Sequence, residues 1–334
     1  MRDHVNMAIR ESVPELSPSL TATRRQASNM QHHEVFSRFR RYSGPVPAGF
    51  QVDFLGAQIN HKFIAGQPGV VFPPERIVED VAYPEPDEEY FEWIDLLESV
   101  VAASGSYTMI ELGAGYGRWA LRAAFAARQH NPQLRCHVIA VEAEPTVYGW
   151  LKEHFRHNGL KPRWHTLIHA AVTDTPGKVE FNIGGPRGGP FDLAPDAWYG
   201  QFLTKDHDLA DSRPAGKYCG FKVQVHKSGW RSIRIPGISL AAILEKLNRV
   251  DLIDLDIEGQ ELASLSSVAG ELDAKVKRLH IGTHGKEIEA GLRLLLTAHG
   301  WHCQADYSVF SMSDTPWGPI RFENGAQSWV NPRM

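Results

Sequence analysis

Cysteine is scarce in this sequence of 334 residues, and its three copies, Cys136, Cys219 and Cys303, lie far apart. Such a set forms neither a disulfide framework nor a cysteine-rich metal site, and it fits a reducing compartment. No apolar run approaches the roughly 20 residues that a membrane helix needs. The first residues are polar where a signal peptide would be apolar. We therefore expect a cytoplasmic protein with no membrane partner.

An excess of positive charge is also missing. The 35 Lys and Arg residues against 39 Asp and Glu residues give a net charge of −4 when the 16 His are neutral. This balance provides no general electrostatic attraction to nucleic acid, so we expect no nucleic-acid partner. With 43% hydrophobic and 22% charged residues, the chain has an ordinary globular composition and can bury a sizeable core.

Strands and helices alternate along the middle of the chain. The predicted strands are 107–112, 137–141, 164–172, 252–257 and 278–283, and the predicted helices begin at 87 and span 118–128, 146–157, 239–248 and 286–299. Strands that alternate with helices of this length form βαβ units. The sequence therefore predicts an α/β fold with a mostly parallel sheet covered by helices on both faces.

Three other segments flank or interrupt this pattern. Residues 1–86 are predicted to be an N-terminal arm and lead-in segment, and residues 313–334 a C-terminal tail. The α/β domain would span 87–312, with an irregular insertion at about 184–236 that is too long for a connecting loop.

Aromatic side chains mark these segments. Trp198, Tyr199 and Trp230 make the insertion a candidate lid over an acceptor, because aromatic faces suit sugar rings, although they also suit a small local core. The tail is a candidate surface for a second copy of the chain. In the arm, the basic and aromatic run 36–42 is either a packing strap or a patch for a phosphate-bearing partner.

The first predicted strand turns into its helix through three glycines, shortly after an acidic residue. Glycines allow the backbone to approach a ligand closely at the carboxyl end of a strand. A dinucleotide fingerprint would require glycine at position 118, where the chain has Arg118, and Glu111 would repel a pyrophosphate. A cofactor with an ammonium and a sulfonium group, such as S-adenosylmethionine, suits the acid better. The residues expected at this cofactor are Glu111, Gly113, Ala114, Gly115, Gly117, Arg118 and Trp119.

The second predicted strand ends in Glu142 and Ala143. An acid at this point can accept hydrogen bonds from both ribose hydroxyls of a nucleoside. We therefore predict Glu142 as the ribose ligand, with Ala143 beside it. The backbone and side chains near Ala171 and Asp174 would meet the adenine.

The fourth predicted strand is unusual because it carries acids at alternate positions. Period-two alternation directs Asp254, Asp256 and Glu258 to one side of the sheet. An unpaired buried carboxylate is costly, so we predict that Asp254 is structural and is paired with an arginine or with backbone N–H groups. Asp256 and Glu258 fall at the carboxyl end, where function is favoured. His284 ends the fifth strand at the same edge and is a candidate general base.

A divalent cation held by these carboxylates and the histidine is a further option, which we do not favour because no two of the ligands share a recognised short spacing.

These residues together resemble class I S-adenosylmethionine-dependent methyltransferases, and more narrowly the FkbM family. The glycine loop and Glu142 are similar to the general class. The narrower resemblance rests above all on 254–261, and also on 170–181, 238–240, 280–285, Glu289 and 300–301. It covers 107–301 apart from most of the insertion. Family patterns often place a lysine before the strand-four Asp-x-Glu-Gly, where this chain has Leu255 or Asp254.

The resemblance implies a Rossmann-like fold and S-adenosylmethionine-dependent methyl transfer to oxygen, with a small molecule or a glycan as acceptor. The acceptor hydroxyl would then lose its proton to Asp256, Glu258 or His284. Three alternatives remain open at this point: an inactive methyltransferase-like scaffold, methylation of a peptide or another non-sugar acceptor, and an oxidoreductase on a dinucleotide fold.

Overall fold

The computed structural model describes residues 31–64, 73–174, 177–185, 201–204 and 211–334. The predictions for Trp198 and Tyr199 and for most of the N-terminal arm lie outside these residues. Residues 33–334 form one unit, and only Gln31 and His32 are described from the other unit, Met1–His32. Among the described residues, no helix has both the length and the apolar character to span a membrane.

The described helices include seven of α type. They are α1 (Tyr90–Val101), α2 (Arg118–His130), α3 (Pro145–His157), α4 (Leu240–Leu244), α5 (Glu261–Ser266), α6 (Ala269–Lys275) and α7 (Lys286–Ala298). Short 3₁₀ helices occupy Glu34–Arg38, His61–Phe63 and Pro162–Trp164.

The strands fall into a first half that leads up to the insertion and a second half that follows it. The first half comprises β1 (Gly44–Val46), β2 (Phe50–Val52), β3 (Gln58–Asn60), β4 (Arg76–Val78), β5 (Ser106–Leu112), β6 (Arg135–Glu142), β7 (Thr166–His169), β8 (Ala171–Thr173) and β9 (Gly177–Gly184). The second half comprises β10 (Arg213–Tyr218), β11 (Phe221–Val225), β12 (Arg231–Ser239), β13 (Leu252–Leu255), β14 (Arg278–Thr283), β15 (His302–Tyr307), β16 (Ser311–Thr315), β17 (Gly318–Phe322) and β18 (Gly325–Val330).

Seven strands build the central sheet, in the order β15-β18-β14-β13-β5-β6-β7. The five strands from β14 to β7 are parallel, whereas β18 runs antiparallel to both of its neighbours, β14 and β15. The predicted α/β class and its mostly parallel, Rossmann-like sheet are confirmed. Because β5, β6 and β13 lie side by side, their carboxyl ends open onto the same edge of the sheet.

Alternate residues of each central strand pack on opposite faces of the sheet. In β5, Tyr107 and Met109 join the core under α1, α2 and α3, whereas Ile110 and Leu112 join the core under α4 to α7. Leu252 of β13 belongs to the first core, so Asp254, two residues later, faces the same side. This alternation directs acidic side chains of the central strands towards α1.

The insertion differs from its prediction as an irregular segment. Its described part contributes β10, β11 and β12 to a second sheet, which also includes β8 and β9. One face of this sheet buries Phe181, Val223, Ile233 and Ile235. The strands escaped prediction because β10 (RPAGKY) is rich in glycine, proline and basic residues, which are uncommon in strands.

The C-terminal tail also differs from its prediction as a separate segment. Within it, β18 is inserted between β14 and β15, and Trp329 is buried in the core under α4 to α7. Phe322 stacks on Tyr307 with ring centroids 4.7 Å apart. These aromatic residues therefore pack within this chain, and they do not form the surface for a second copy that we expected.

The basic and aromatic run of the arm is a packing strap. Phe36 and Phe39 are buried in the core, and the Phe36 ring stacks on Tyr90 at 5.1 Å between centroids. The guanidinium of Arg41 lies over the Tyr83 ring, 5.9 Å from its centroid. The aromatic residues of the run thus anchor the segment to α1 rather than present it to a phosphate-bearing partner.

Candidate active site

A cavity of about 290 Å³ opens at the carboxyl ends of β5, β6 and β13. Its described lining contains eleven of the residues predicted for the cofactor or for catalysis. They are Glu111, Gly113, Ala114, Gly115, Arg118, Trp119, Glu142, Ala143, Ala171, Asp256 and Glu258. Gly117, Asp174 and His284 are outside this lining. Asp174 is exposed, so the structure does not bring its side chain to the cavity.

The three glycines of the loop serve different purposes. A Cβ on Gly113 would lie 1.8 Å from the backbone oxygen of Asp256, and one on Gly117 would lie 2.2 Å from Leu151. These two glycines therefore allow close packing within the protein. A Cβ on Gly115 would meet no protein atom within 4 Å, so this glycine borders open space in the cavity.

Glu111 caps the helix that follows the loop. Its Oε1 accepts a hydrogen bond from the Trp119 N–H at 3.1 Å, and its Oε2 accepts one from the Ala120 N–H at 2.9 Å. Burial and the charge of Asp254 raise the pKa of Glu111 to about 8, against the effect of these hydrogen bonds. The side chain thus holds the loop to α2 as well as lining the cavity.

Glu142 fixes the turn from the other side. Its Oε2 accepts a hydrogen bond from the Gly115 N–H at 2.8 Å, and its Oε1 accepts one from the Glu144 N–H at 2.6 Å. Burial raises the pKa of Glu142 to about 7. Each carboxylate oxygen retains acceptor capacity, so Glu142 can still receive hydrogen bonds from ribose hydroxyls.

The three predicted catalytic residues meet at the cavity mouth, in a group that we call the rim cluster: Asp256, Glu258, Glu261 and His284. The Nε2 atom of His284 lies 3.2 Å from Asp256 Oδ1 and 3.6 Å from Glu258 Oε2. Its Nδ1 atom lies 2.8 Å from Glu261 Oε1. The same oxygen of Glu261 accepts hydrogen bonds from the N–H groups of Ile257 and Gly259. Glu261 is fully buried and thus organises the loop after β13.

The carboxylates around the rim histidine favour its positively charged form. Burial alone would lower the pKa of His284, but its contacts with Asp256 and Glu261, together with the charges of Asp256 and Glu258, raise it to about 11. An imidazolium cannot accept a proton, so the raised pKa of His284 disfavours a role as general base near neutral pH, and that role stays a prediction. Glu258 has a positive φ of 50°, a strained conformation of the kind found at functional sites.

A second acidic group also borders the cavity, and we call it the floor cluster: Glu92, Asp254 and His280, which line the cavity, and Asp95, which contacts His280. The residues Asp254 and His280 are register partners on β13 and β14, while Glu92 and Asp95 come from α1. One ligand atom from each of Glu92, Asp254 and His280 lies within 4.8 Å of the other two. Burial and the Asp254 carboxylate hold the pKa of Glu92 well above its usual range.

The prediction that Asp254 pairs with an arginine or with backbone N–H groups is wrong. Its Oδ1 atom is buried and has no hydrogen-bond partner among the described residues. Arg278, the arginine of β14, instead bonds Asp95 Oδ1 at 2.6 Å and Glu98 Oε2 at 2.7 Å. The sequence pattern located Asp254 on the correct face but gave no indication of its neighbours on α1.

Two chain segments reach the cavity without having been predicted there. The start of α1 brings Glu88, Glu89 and Glu92 to its lining, and Arg118 Nη2 donates a hydrogen bond to Glu89 Oε1 at 2.6 Å. The C-terminal tail contributes 324–326. Acids such as those at 87–89 are common at the N-terminus of a helix, where they interact favourably with its dipole. The sequence therefore offered no reason to place them in the site.

Known proteins resemble this chain over most of its length. Residues 111–291 match the family model described as Methyltransferase FkbM domain. A protein of Jannaschia sp. (strain CCS1), whose name provisionally describes it as a methyltransferase, is 24% identical over 276 residues, which are 80% of this chain and 88% of the relative.

Solved structures show a weaker similarity. The human methyltransferase 10 domain containing protein is 10% identical with a TM-score of 0.36, over 72% of this chain and 80% of its own. Precorrin-6y C5,15-methyltransferase from Geobacter metallireducens GS-15 is 14% identical with a TM-score of 0.33, over 71% of this chain and 85% of its own. Neither similarity indicates a substrate.

Proposed function

Because the chain belongs to the FkbM methyltransferase domain family, we propose that it transfers a methyl group from S-adenosylmethionine to a hydroxyl group of a sugar, a glycan or a secondary metabolite. One observation carries the proposal: the glycine loop, the buried Glu142 and two acids of the rim cluster, Asp256 and Glu258, border a single cavity. The three cysteines are free thiols, which fits the cytoplasmic location that we propose with it.

The cavity suits the cofactor at its glycine loop. The open space beside Gly115 is where a ligand can approach the backbone, and Glu142 lies next to it with acceptor capacity for ribose hydroxyls. Glu111 is the acidic residue of this part of the cavity that we assign to the ammonium group. When bound, S-adenosylmethionine supplies an electrophilic methyl group on a sulfonium, a good leaving group. The protein then has to position the acceptor and remove its proton.

A carboxylate of the rim cluster is the proposed base. Asp256 is the most accessible member, with 58% of its side chain exposed, so an acceptor hydroxyl can reach it. His284 holds Asp256 and Glu258 in place as an imidazolium, and Glu261 holds His284. The proton of the acceptor hydroxyl therefore passes to Asp256, with Glu258 as the alternative acceptor, while His284 positions both.

The described part of the insertion supports an acceptor site next to the rim cluster. Gln201, Phe202 and Leu203 line the cavity. The Trp230 ring packs edge-on against Phe202, with centroids 4.9 Å apart. An aromatic surface of this kind suits the apolar face of a sugar ring, which favours a carbohydrate or a similarly hydroxyl-rich acceptor over a peptide.

Titration calorimetry with S-adenosylhomocysteine tests the cofactor part of the proposal. Gly115→Ala and Gly105→Ala form a matched pair, because both glycines have positive φ and open space at the Cβ position, yet only Gly115 lines the cavity. We expect Gly115→Ala to weaken binding about tenfold or more and Gly105→Ala to leave it unchanged. Equal affinities for the two variants, or binding of NAD in place of S-adenosylhomocysteine, would contradict the proposal.

Mass spectrometry of candidate acceptors incubated with S-adenosylmethionine tests the transfer itself. We expect a hydroxyl-bearing acceptor to gain the mass of one methylene group, with S-adenosylhomocysteine formed in equal amount. Cofactor binding without turnover on any sugar, natural product or peptide would instead favour the inactive scaffold.

A further inference from the structure

We propose that Glu92, Asp254 and His280, at the floor of the cavity, form a binding site for a divalent cation such as Mn²⁺. These residues differ from the rim residues assigned to proton removal, and the site does not depend on the methyl-transfer proposal. Two carboxylates and one imidazole are a ligand set that suits first-row divalent ions.

The spacing of the ligand atoms fits a single ion. One atom from each residue lies within 4.8 Å of the other two. Oxygen ligands surround ions of this class at about 2.0–2.6 Å, so two of them lie at most about 4–5 Å apart. The three side chains come from three elements, α1, β13 and β14. Asp254 and His280 are neighbours on adjacent strands, and α1, which carries Glu92, packs over that face of the sheet.

The floor histidine is oriented as a metal ligand usually is. Its Nδ1 atom lies 2.8 Å from Asp95 Oδ2, and Asp95 is itself held by Arg278 and Ser328. A carboxylate on one ring nitrogen fixes the ring and leaves the other nitrogen as a ligand, the arrangement seen around most metal-binding histidines. Since His280 lines the cavity, its Nε2 atom is the ligand that we assign.

An independent observation is the uncompensated carboxylate oxygen of Asp254. This side chain is only 3% exposed, and its Oδ1 atom has no hydrogen-bond partner within the described part of the chain. The arginines of this region bond other acids, Arg118 to Glu89 and Arg278 to Asp95 and Glu98. The Asp254 side chain is hydrogen-bonded to a second carboxyl group, that of Glu92, so two acids lie together at this buried place. Such a pair is costly to bury, and a cation at this point would compensate both Asp254 and Glu92.

Three protein ligands leave coordination positions open towards the cavity. Ions such as Mn²⁺ accept further oxygen ligands, so these positions can take water, an acceptor hydroxyl or a carboxylate of a bound molecule. The site is therefore built for an exchangeable ligand rather than as a closed structural centre.

Binding of Mn²⁺ to the full chain, previously stripped of metal with a chelator, tests the site. The electron paramagnetic resonance signal of free Mn²⁺ at pH 8 measures the bound fraction directly. We expect one ion per chain. Asp254→Asn, which removes a ligand, should lower the affinity for Mn²⁺ by at least about tenfold. Asp95→Asn, which removes the carboxylate behind His280, should lower it by about tenfold. Asp256→Asn at the rim is the matched control and should bind Mn²⁺ like the unmodified chain.

Three results would overturn the proposal: no binding by the unmodified chain at millimolar Mn²⁺, equal losses in Asp254→Asn and Asp256→Asn, or unchanged binding in Asp254→Asn. Circular dichroism establishes that each variant is folded. If Asp254→Asn does not fold, the contrast between Asp95→Asn and Asp256→Asn decides. A thermal unfolding scan adds a second readout, because Mn²⁺ should raise the Tm of the unmodified chain and of Asp256→Asn but not of Asp254→Asn.

Discussion

The floor and rim clusters each take one aspartate and one histidine from β13 and β14 or from the residues just after them, yet they differ in how their charges are compensated. Each has a histidine whose Nδ1 atom lies 2.8 Å from a buried carboxylate, Asp95 for His280 and Glu261 for His284. Each also has an aspartate at or just beyond the end of β13, namely Asp254 and Asp256. At the rim an imidazolium lies between the acids, whereas at the floor Asp254 is hydrogen-bonded to another acid, Glu92, and its Oδ1 atom has no partner among the described residues.

Position relative to solvent accounts for this difference. Asp256 is 58% exposed, so solvent as well as His284 compensates its charge, while Asp254 is only 3% exposed. The same aspartate and histidine pair therefore gives an accessible proton acceptor at the rim and a buried carboxylate with little compensation at the floor. This buried negative charge is what makes the floor suitable for a cation.

The largest effect that distinguishes the two clusters should be on catalysis. We expect Asp256→Asn to reduce kcat for methyl transfer about 10²- to 10⁴-fold, the usual contribution of a general base, with S-adenosylhomocysteine affinity unchanged. Initial rates with an identified acceptor measure kcat. The control is Glu271→Gln, because Glu271 is an exposed acid of α6. An unchanged rate in Asp256→Asn would remove this residue from the proposed mechanism.

The next largest effect concerns stability at the floor. Burial raises the pKa of Asp254 to about 6 from 3.8, with Asp256 and Asp95 adding to the rise and His280 and Glu92 opposing it. Stability from this group is therefore present below pH 3.8 and is lost as the pH rises through 6. At pH 8, in a chelator, Asp254→Asn should therefore raise the free energy of unfolding.

Urea denaturation of Asp254→Asn and Glu271→Gln measures this effect. The variant of Glu271, an exposed acid of α6, should stay within about 0.5 kcal/mol of the unmodified chain, as is usual for exposed positions. A destabilised Asp254→Asn would mean that the floor carboxylate has a favourable partner and that the two clusters are alike.

A smaller effect is expected in the pH dependence of stability at the rim. The folded-state pKa of His284, about 11, lies above its ordinary value of 6.5. Its contribution to stability is therefore complete below pH 6.5 and is lost as the pH rises towards 11, by about 1.4 kcal/mol per pH unit. His284→Gln should lack this slope between pH 7 and 9, while His302→Gln, at an exposed position of β15, should keep it. If the free energy of unfolding changed with pH in the same way in the unmodified chain and in His284→Gln, the rim histidine would not be held as an imidazolium.

The smallest effect is expected on cofactor affinity, for a residue that lies outside the lining of the cavity. Asp174→Asn should change S-adenosylhomocysteine affinity by less than about twofold, because the side chain is exposed and outside the lining. Glu142→Gln should weaken it about tenfold or more, since a hydrogen bond to a charged group is worth about 1.5–3 kcal/mol. Calorimetry on both variants measures these two affinities. Equal losses of affinity would instead support the prediction that Asp174 contacts the adenine.

Much of the site was predictable because it lies at strand ends. The carboxyl ends of neighbouring parallel strands meet, so the glycine loop, Glu142 and Asp256 had to come together once the strands were recognised. Glu92 was not predictable in this way, because its place depends on how α1 packs across the sheet. The tail was missed for a similar reason: β18 is short and pairs with strands far away in the chain, and no local pattern specifies that insertion.

The sequence by itself determined the α/β class, the family and the edge of the sheet at which the chemistry lies, because hydrophobic period and glycine positions are local properties of the chain. Only the tertiary structure decided which charges are compensated. The sequence separates Asp254 from Asp256 only by their positions along the strand. The difference in how their charges are compensated arises from burial, with α1 above one and solvent above the other. Desolvation acts through space and has no counterpart in a linear pattern.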